Sequence, residues 1–464
     1  MSAESGRTTG LESFPAVRQE LDRCMKCGMC MSVCPVYGAE KSEGAVARGK
    51  IAIAEAMLAG DLALDDREVI DTLFDCLVCK SCMQACPSGV QFDRIMLDLR
   101  AAIVKKNGLP WLKAAIFAGL RSPMVMDGAM KVGALLQGLV FREDLRLRAI
   151  SPRSPFAILG QHAGFDENRL FPSPTTHPLR DRVPRIVPAE QSKMRVAFFT
   201  GCSFHYFYPQ TGLDLIAVLT ENHVEVVVPK EQQCCGTPAL VHGDVESART
   251  LARRNLDAME QSNAEYIVTG CGSCGGAWQH EFARVLADDP VYAPKVAYWS
   301  ARTFDISTFL TSIVRYRVPE GQVDAVVTYH DSCHLKKSMK VFREPREILR
   351  AIPGVIFQEM TRPDACCGSG GSYGLTHSET SAVIAERKAT DAAATGASTI
   401  ATGCPACMMQ LLDSTHRFGS KQRVRHYISL LADSYRAEVG HALACPKESA
   451  ELAAPQKEPH ADTV

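Results

Sequence analysis

Two runs, CMKCGMCMSVCP at residues 24–35 and CLVCKSCMQACP at 76–87, place cysteines in one repeated arrangement, C-x2-C-x2-C-x3-C-P. No other feature limits the fold as strongly. Three closely spaced thiolates wrap one inorganic cluster while the fourth reaches across to another, so the two runs must be brought face to face. On this reading Cys24, Cys27, Cys30 and Cys86 hold one cubane [4Fe–4S] centre, and Cys76, Cys79, Cys82 and Cys34 hold a second. Structural zinc is the rival, since CxxC pairs also build zinc knuckles. Zinc seldom needs four cysteines at this spacing followed by proline, twice.

The arrangement is that of two-cluster bacterial ferredoxins. Val69, Ile70, Leu73 and Phe74 before the second run, and Phe92, Ile95, Met96, Leu99 and Ile103 after it, follow helical spacing, so this domain is read as α-helical. Lys26 and Lys80 lie inside the cysteine loops. They are read as solvated surface lysines, with a contribution of positive charge to the clusters as the alternative.

The remaining composition narrows the setting. Lys plus Arg number 51 against 52 Asp plus Glu, so no charge excess points to nucleic acid. The apolar stretch 111–141 is broken by Lys113, Arg121, Asp127 and Lys131, which excludes a transmembrane span. The N-terminus lacks an apolar secretory core, so the expected location is the reducing cytoplasm, free or peripheral on the cytoplasmic face of the membrane. There, 19 cysteines favour metal or redox chemistry over a disulfide scaffold.

Beyond residue 190 the sequence repeats itself. Cys202, Cys234, Cys235, Cys271 and Cys274 have counterparts at Cys333, Cys366, Cys367, Cys404 and Cys407, at a nearly constant offset. Such regularity marks duplicated modules. Each starts with an apolar run, such as Val196–Phe199 or Ala325–Val327, then turns helical, then shows another apolar run leading into its CxxC pair. That alternation predicts α/β layers, with cysteines at strand ends where such sheets hold ligands.

Each module has five cysteines, one more than a cubane takes. The neighbouring pairs Cys234–Cys235 and Cys366–Cys367 are poorly placed to form a disulfide, because adjacent Cα atoms sit about 3.8 Å apart. A spare thiol beside a cubane, a thiolate bridging irons in an opened cluster, and a mixture of zinc and free cysteine all remain open. Adjacent thiolates bind neighbouring irons of one cluster more easily than a single metal. Gly368, Gly370 and Gly371 would let backbone N–H groups approach the sulfurs.

C-x31-CC-x35-CxxC and C-x32-CC-x36-CxxC resemble the CCG cysteine-rich domain of heterodisulfide reductases and of iron–sulfur subunits of flavin-linked dehydrogenases. Together with the twin ferredoxin runs, the layout from about 20 to 435 resembles the glycolate oxidase and D-lactate dehydrogenase iron–sulfur subunit family. Periodicity, repeat, prolines and tail composition together give an expected α + α/β architecture: an α-helical two-cluster ferredoxin domain over 1–110, a helical segment and proline-rich linker over 111–190, CCG modules over 191–320 and 321–440, and a disordered tail over 441–464. The resemblance agrees with this layout. It implies one or two further [4Fe–4S] clusters, cubane or noncubane, on the ten module cysteines. It also implies an oxidoreductase complex, and the lack of a flavin-binding fingerprint leads to the expectation that this chain carries no flavin. Electrons would pass between an FAD-containing partner oxidising glycolate or D-lactate and a quinone or other carrier. Retention of all ten cysteines pulls towards the alternative, a heterodisulfide-reductase-like subunit that reduces a disulfide at a noncubane cluster.

Other signals carry less. GCGSCG at 270–275 satisfies GxGxxG, but its counterpart reads GCPACM, so nucleotide binding is discounted. His330 and His334 flank Cys333 and are read as packing or loop residues, with metal ligation or proton transfer as the alternative. The basic scatter Arg142, Arg146, Arg148 and Arg153 is read as a solvated segment, and helical 112–141 as core, membrane-surface or subunit-facing. Cys445 is read as incidental.

Overall fold

Helices Pro15–Asp22, Pro35–Glu40, Ala47–Ala59, Arg67–Phe74, Ser81–Gln84 and Phe92–Asn107 make up the N-terminal part of the computed structural model, which describes residues 15–144, 149–153, 168–420 and 422–438. Asp66 starts the Arg67–Phe74 helix by accepting the Glu68 and Val69 N–H groups at 2.9 and 3.4 Å. The apolar face read from the sequence is the face that is buried: Ile95, Met96, Leu99 and Ile103 pack with Val69, Leu73, Ile51 and Met57. Burying each such side chain is worth about 1.5–3 kcal/mol. Cys24, Cys30, Cys76, Cys82 and Cys86 rest on the edge of this core, so its packing also fixes the sulfurs.

Helices Trp111–Leu120 and Pro123–Val140 follow as a hairpin, of which only Phe117 and Ala134 are buried apolar residues. Short pieces of the proline-rich stretch are built into sheets rather than left as linker. Strands β1 (Phe141–Asp144), β2 (Ala149–Pro152) and β3 (Phe171–Pro172) form an antiparallel sheet, and β4 (Ile186–Val187) joins the edge of the first module. Arg146, Arg148, Cys445 and the tail fall outside the described residues.

The first module contains β5 (Met194–Phe198), β6 (Val224–Val227), β7 (Tyr266–Thr269) and β8 (Thr303–Asp305), in sheet order β4-β6-β5-β7-β8. All pairings are parallel except that of β4 with β6. The second contains β9 (Ala325–His330), β10 (Val355–Phe357), β11 (Thr399–Thr402) and β12 (Arg423–His426), all parallel, in order β10-β9-β11-β12. The duplication read from the cysteines is thus also a duplication of topology. In each sheet the chain leaves the first strand to one side and returns on the other, creating a switch point between β5 and β7 and between β9 and β11. Cys202 and Cys271 follow one pair of these strands, Cys333 and Cys404 the other, at the carboxyl ends where open α/β sheets hold ligands.

The modules share one core, in which Val196, Phe198, Ile267, Val327, Ile400 and Leu431 take part. Gly272 N–H donates to the Gly403 carbonyl at 3.3 Å, and His426 Nε2 meets the Gly270 carbonyl at 2.8 Å. A Cβ on Gly272 would stand 2.7 Å from the Leu335 backbone nitrogen, so only glycine permits this approach.

His242 stands where four parts of the molecule meet. It contacts Lys113 Nζ at 3.4 Å in the hairpin and Ser372 Oγ at 2.5 Å in the second module, and it stacks on Phe74 of the helical domain. Burial, reinforced by Lys113 and Arg100, lowers its pKa to about 3 from an ordinary 6.5. Because the folded value is the lower one, the stability it lends is complete above pH 6.5 and is lost as pH falls towards 3. Denaturant unfolding at pH 7 and at pH 5.5 is expected to show the wild-type protein losing about 1 kcal/mol more than His242→Gln. Equal losses would dismiss this role.

Candidate metal centres

The two cysteine runs interleave. One cavity is lined by Cys24, Cys27 and Cys30 of the first run together with Cys86 of the second. The next is lined by Cys76, Cys79 and Cys82 of the second with Cys34 of the first, and Cys82 borders both. Cys34 sits at the N-terminus of the Pro35–Glu40 helix and accepts the Tyr37 N–H at 3.5 Å; Cys76 accepts the Val78 N–H at 3.4 Å. All 18 described cysteines are free thiols. Four soft donors around one apolar cavity, with backbone N–H groups aimed at the sulfurs, fit an iron–sulfur cluster by the chemistry of the donor set.

Cations that sequence reading missed surround the second cavity. Lys50 is fully buried and donates to the Gly44 carbonyl at 2.7 Å; burial lowers its pKa, while Cys76, Asp75 and Cys34 work to keep it charged. It shares a helix face with Ala47, Ala54 and Met57, so a lysine inside an apolar stripe was the available signal. Arg100 ties the carbonyls of Leu73, Phe74 and Cys76 to that of Val241 in the first module. Lys337 donates to Ser81 Oγ at 2.5 Å, and although burial opposes its charge, the sulfurs of Cys79, Cys333 and Cys366 raise its pKa above the ordinary value. Lys80, expected at the surface, is buried between Asp93 at 2.9 Å and Glu281 at 3.3 Å, because the first module closes over its loop. Lys26 is exposed as expected and pairs with Glu55 at 2.8 Å.

In both modules the five cysteines converge, and the sulfurs form a continuous series. Cys79 of the helical domain shares a hydrogen bond with Cys366 that holds it well below the ordinary thiol pKa. Cys367 is held down in the same way by Cys366 and Cys407, and Cys404 by Cys271 and Cys407. Cys404 and Cys271 meet across the module junction at 3.9 Å. Cys274 then contacts Cys235, and Cys234 approaches Cys202 at 4.0 Å. Cys333, half-buried, lies close to Cys79, Cys367 and Cys404. Of the glycines after the second CC pair, Gly368 has φ +89° and its N–H reaches Cys366 Sγ at 3.4 Å.

His330 and His334 part company. His334 Nδ1 meets Ser273 Oγ of the first module at 3.2 Å, whereas a ring nitrogen of His330 lies within 4.8 Å of both Cys367 and Cys407 sulfurs. A cavity of about 470 Å³ separates the helical domain from the second module. Cys34 and Cys366 both line it, with Lys337, Arg362, Arg387 and Lys388. No helix among the described residues is long and apolar enough to cross a membrane.

Comparison with known proteins gives these features a context. A 4Fe-4S dicluster domain model matches residues 20–90, and a cysteine-rich domain model, CCG, matches 196–278 and 327–412. The chain is 31% identical to the probable glycolate oxidase iron-sulfur subunit of Bacillus subtilis, over 89% of this chain and 94% of that protein. It is 26% identical to a subunit of the dihydromethanophenazine:CoB–CoM heterodisulfide reductase of Methanosarcina mazei, over 90% of this chain and 95% of that protein. It is 27% identical to lactate utilization protein A of Halalkalibacterium halodurans, over 51% of this chain and 96% of that protein.

The interleaving makes an unusual expectation. Cys34→Ser is expected to disturb the paramagnetic resonance signal of the centre otherwise served by the second run, and Cys86→Ser that of the centre served by the first. Loss confined to the run that carries the substitution would contradict the cavity lining.

Proposed function

Since the chain belongs to the glycolate oxidase iron–sulfur subunit family and is an oxidoreductase-complex subunit built for iron–sulfur electron transfer, we propose that it is the relay between a flavoprotein and a second carrier. In this reading the FAD-containing partner removes two electrons and two protons, as a hydride and a hydroxyl proton, from a 2-hydroxy acid, glycolate or D-lactate, and this chain passes the electrons singly to a quinone or comparable acceptor. Cys24, Cys27, Cys30 and Cys86 hold one cubane [4Fe–4S] cluster; Cys34, Cys76, Cys79 and Cys82 hold the other; each module's five cysteines hold a further centre. When bound, these clusters supply reversible one-electron chemistry. The chain's own residues position them, shield them from water and offset their charge.

The observation that carries the proposal is the unbroken series of sulfurs from Cys79 to Cys202. The surroundings of its two ends also favour a relay. Next to the Cys79 end, Cys82 borders both ferredoxin-type cavities, and Cys27 of the outer one is exposed among Met25 and Met29. At the other, Cys202 and Cys234 border a small cavity with Leu120, Pro123 and Met126 of the helical hairpin, whose outer face exposes Trp111 (80%), Met124 (85%), Leu135 (72%) and Leu139 (70%). Such an apolar patch marks a contact surface, and we assign it to the flavoprotein partner.

Heterodisulfide reduction is the second reading, favoured by the complete cysteine sets and by Cys271 meeting Cys404. The two readings separate in an anaerobic assay of the isolated chain with reduced dye and organic disulfides, where the relay gives no turnover. Iron analysis of the protected protein is expected to give about sixteen irons per chain, four for each of four centres; about eight would leave the modules as scaffold. Cys367→Ser is expected to remove one module signal and spare the ferredoxin-type signals. Leu135→Glu with Leu139→Glu is expected to abolish co-purification of a flavoprotein without changing iron content.

A further inference from the structure

We propose that His330 is a nitrogen ligand of the metal centre in the second module, so that the two duplicated modules hold chemically unlike centres. The inference rests on the reading that this module carries an iron–sulfur centre. His330 ends β9 at the switch point of its sheet, and it is 1% exposed. Its backbone carbonyl accepts the Thr402 hydroxyl at 3.1 Å, which locks it to the neighbouring strand. The ring nitrogen and the sulfurs of Cys367 and Cys407 all lie within 4.8 Å of one another. Donors on one tetrahedral metal, with metal–nitrogen about 2.1 Å and metal–sulfur about 2.3 Å, stand about 3.5–3.8 Å apart, so small adjustments bring all three onto one ion.

His330 Nδ1 is buried without a hydrogen-bond partner among the described residues. A buried imidazole nitrogen left that way is costly, and a metal ion is a partner that the ring can take. The first module offers no such donor. There the equivalent position is Phe199, whose ring meets Trp278 edge-on at 5.5 Å. Five sulfurs and a nitrogen exceed the four corners of a cubane, which suits a centre whose irons differ in ligation. A neutral imidazole at an iron site that the first module fills with thiolate raises the reduction potential, as in clusters where histidine takes the place of cysteine. The second-module centre therefore sits at the higher potential of the two.

The test uses the full chain, loaded with iron and sulfide under anaerobic conditions and produced with either ordinary or 15N-labelled histidine. The second-module signal is the one that Cys367→Ser removes. Pulsed paramagnetic resonance on that signal is expected to show a 14N coupling that converts to 15N on labelling, and that is lost in His330→Phe while iron content stays at the wild-type level. The variant's reduction potential for that signal is expected to fall. A coupling absent from the wild-type protein, or one that persists in His330→Phe, overturns the assignment; the labelled wild-type result decides even if the variant does not fold. No second-module signal, together with only about eight irons per chain, would overturn the parent reading along with this one.

Discussion

The contact between Gly272 and Gly403 sets the distance at which the two modules face each other, and most of the candidate chemistry follows from that distance. Each glycine stands beside the first cysteine of its CxxC pair, so the backbone hydrogen bond draws Cys271 and Cys404 together. A side chain at Gly272 would strike Leu335, and one at Gly403 would meet its side chain too. The duplicated modules thus behave as two halves of one unit with a common core.

Gathering so many sulfurs raises an electrostatic problem, because a thiolate cluster carries negative charge into a region that excludes water. The protein answers locally. Lys50, Arg100 and Lys337 are buried around the second ferredoxin-type cavity and its neighbour, and backbone N–H groups of Tyr37, Val78 and Gly368 point at sulfur. The cations are themselves spoken for by carbonyls and hydroxyls, so each is held in a fixed orientation. The result is a graded environment. The Cys24–Cys30 loop lies near solvent with an exposed Lys26, while the CC and CxxC cysteines of both modules are buried.

Cysteine spacing and internal repetition are local properties of a string, and both were legible. The strand order repeats in the two modules as the cysteine order does. What the string concealed depends on contacts between distant segments. Lys80 reads as a surface residue until Glu281 arrives from the first module. The proline-rich stretch reads as linker because strands of two residues, such as β3 and β4, leave no periodicity to detect. The hairpin helices read equally as core or as surface, since an apolar helix looks the same whether its cover belongs to this chain or to another. The difference between His330 and Phe199 was visible in the aligned repeats, but its meaning required knowing that β9 delivers that residue to Cys367 and Cys407.

The cavity between the helical domain and the second module has a further consequence. At about 470 Å³ it is large enough for a small organic molecule, and it reaches Cys34 and Cys366, sulfurs that belong to neighbouring nests. Dioxygen is far smaller and enters such a space freely. A small oxidant therefore has a way to these two sulfurs that does not pass through the solvent-facing Cys24–Cys30 loop.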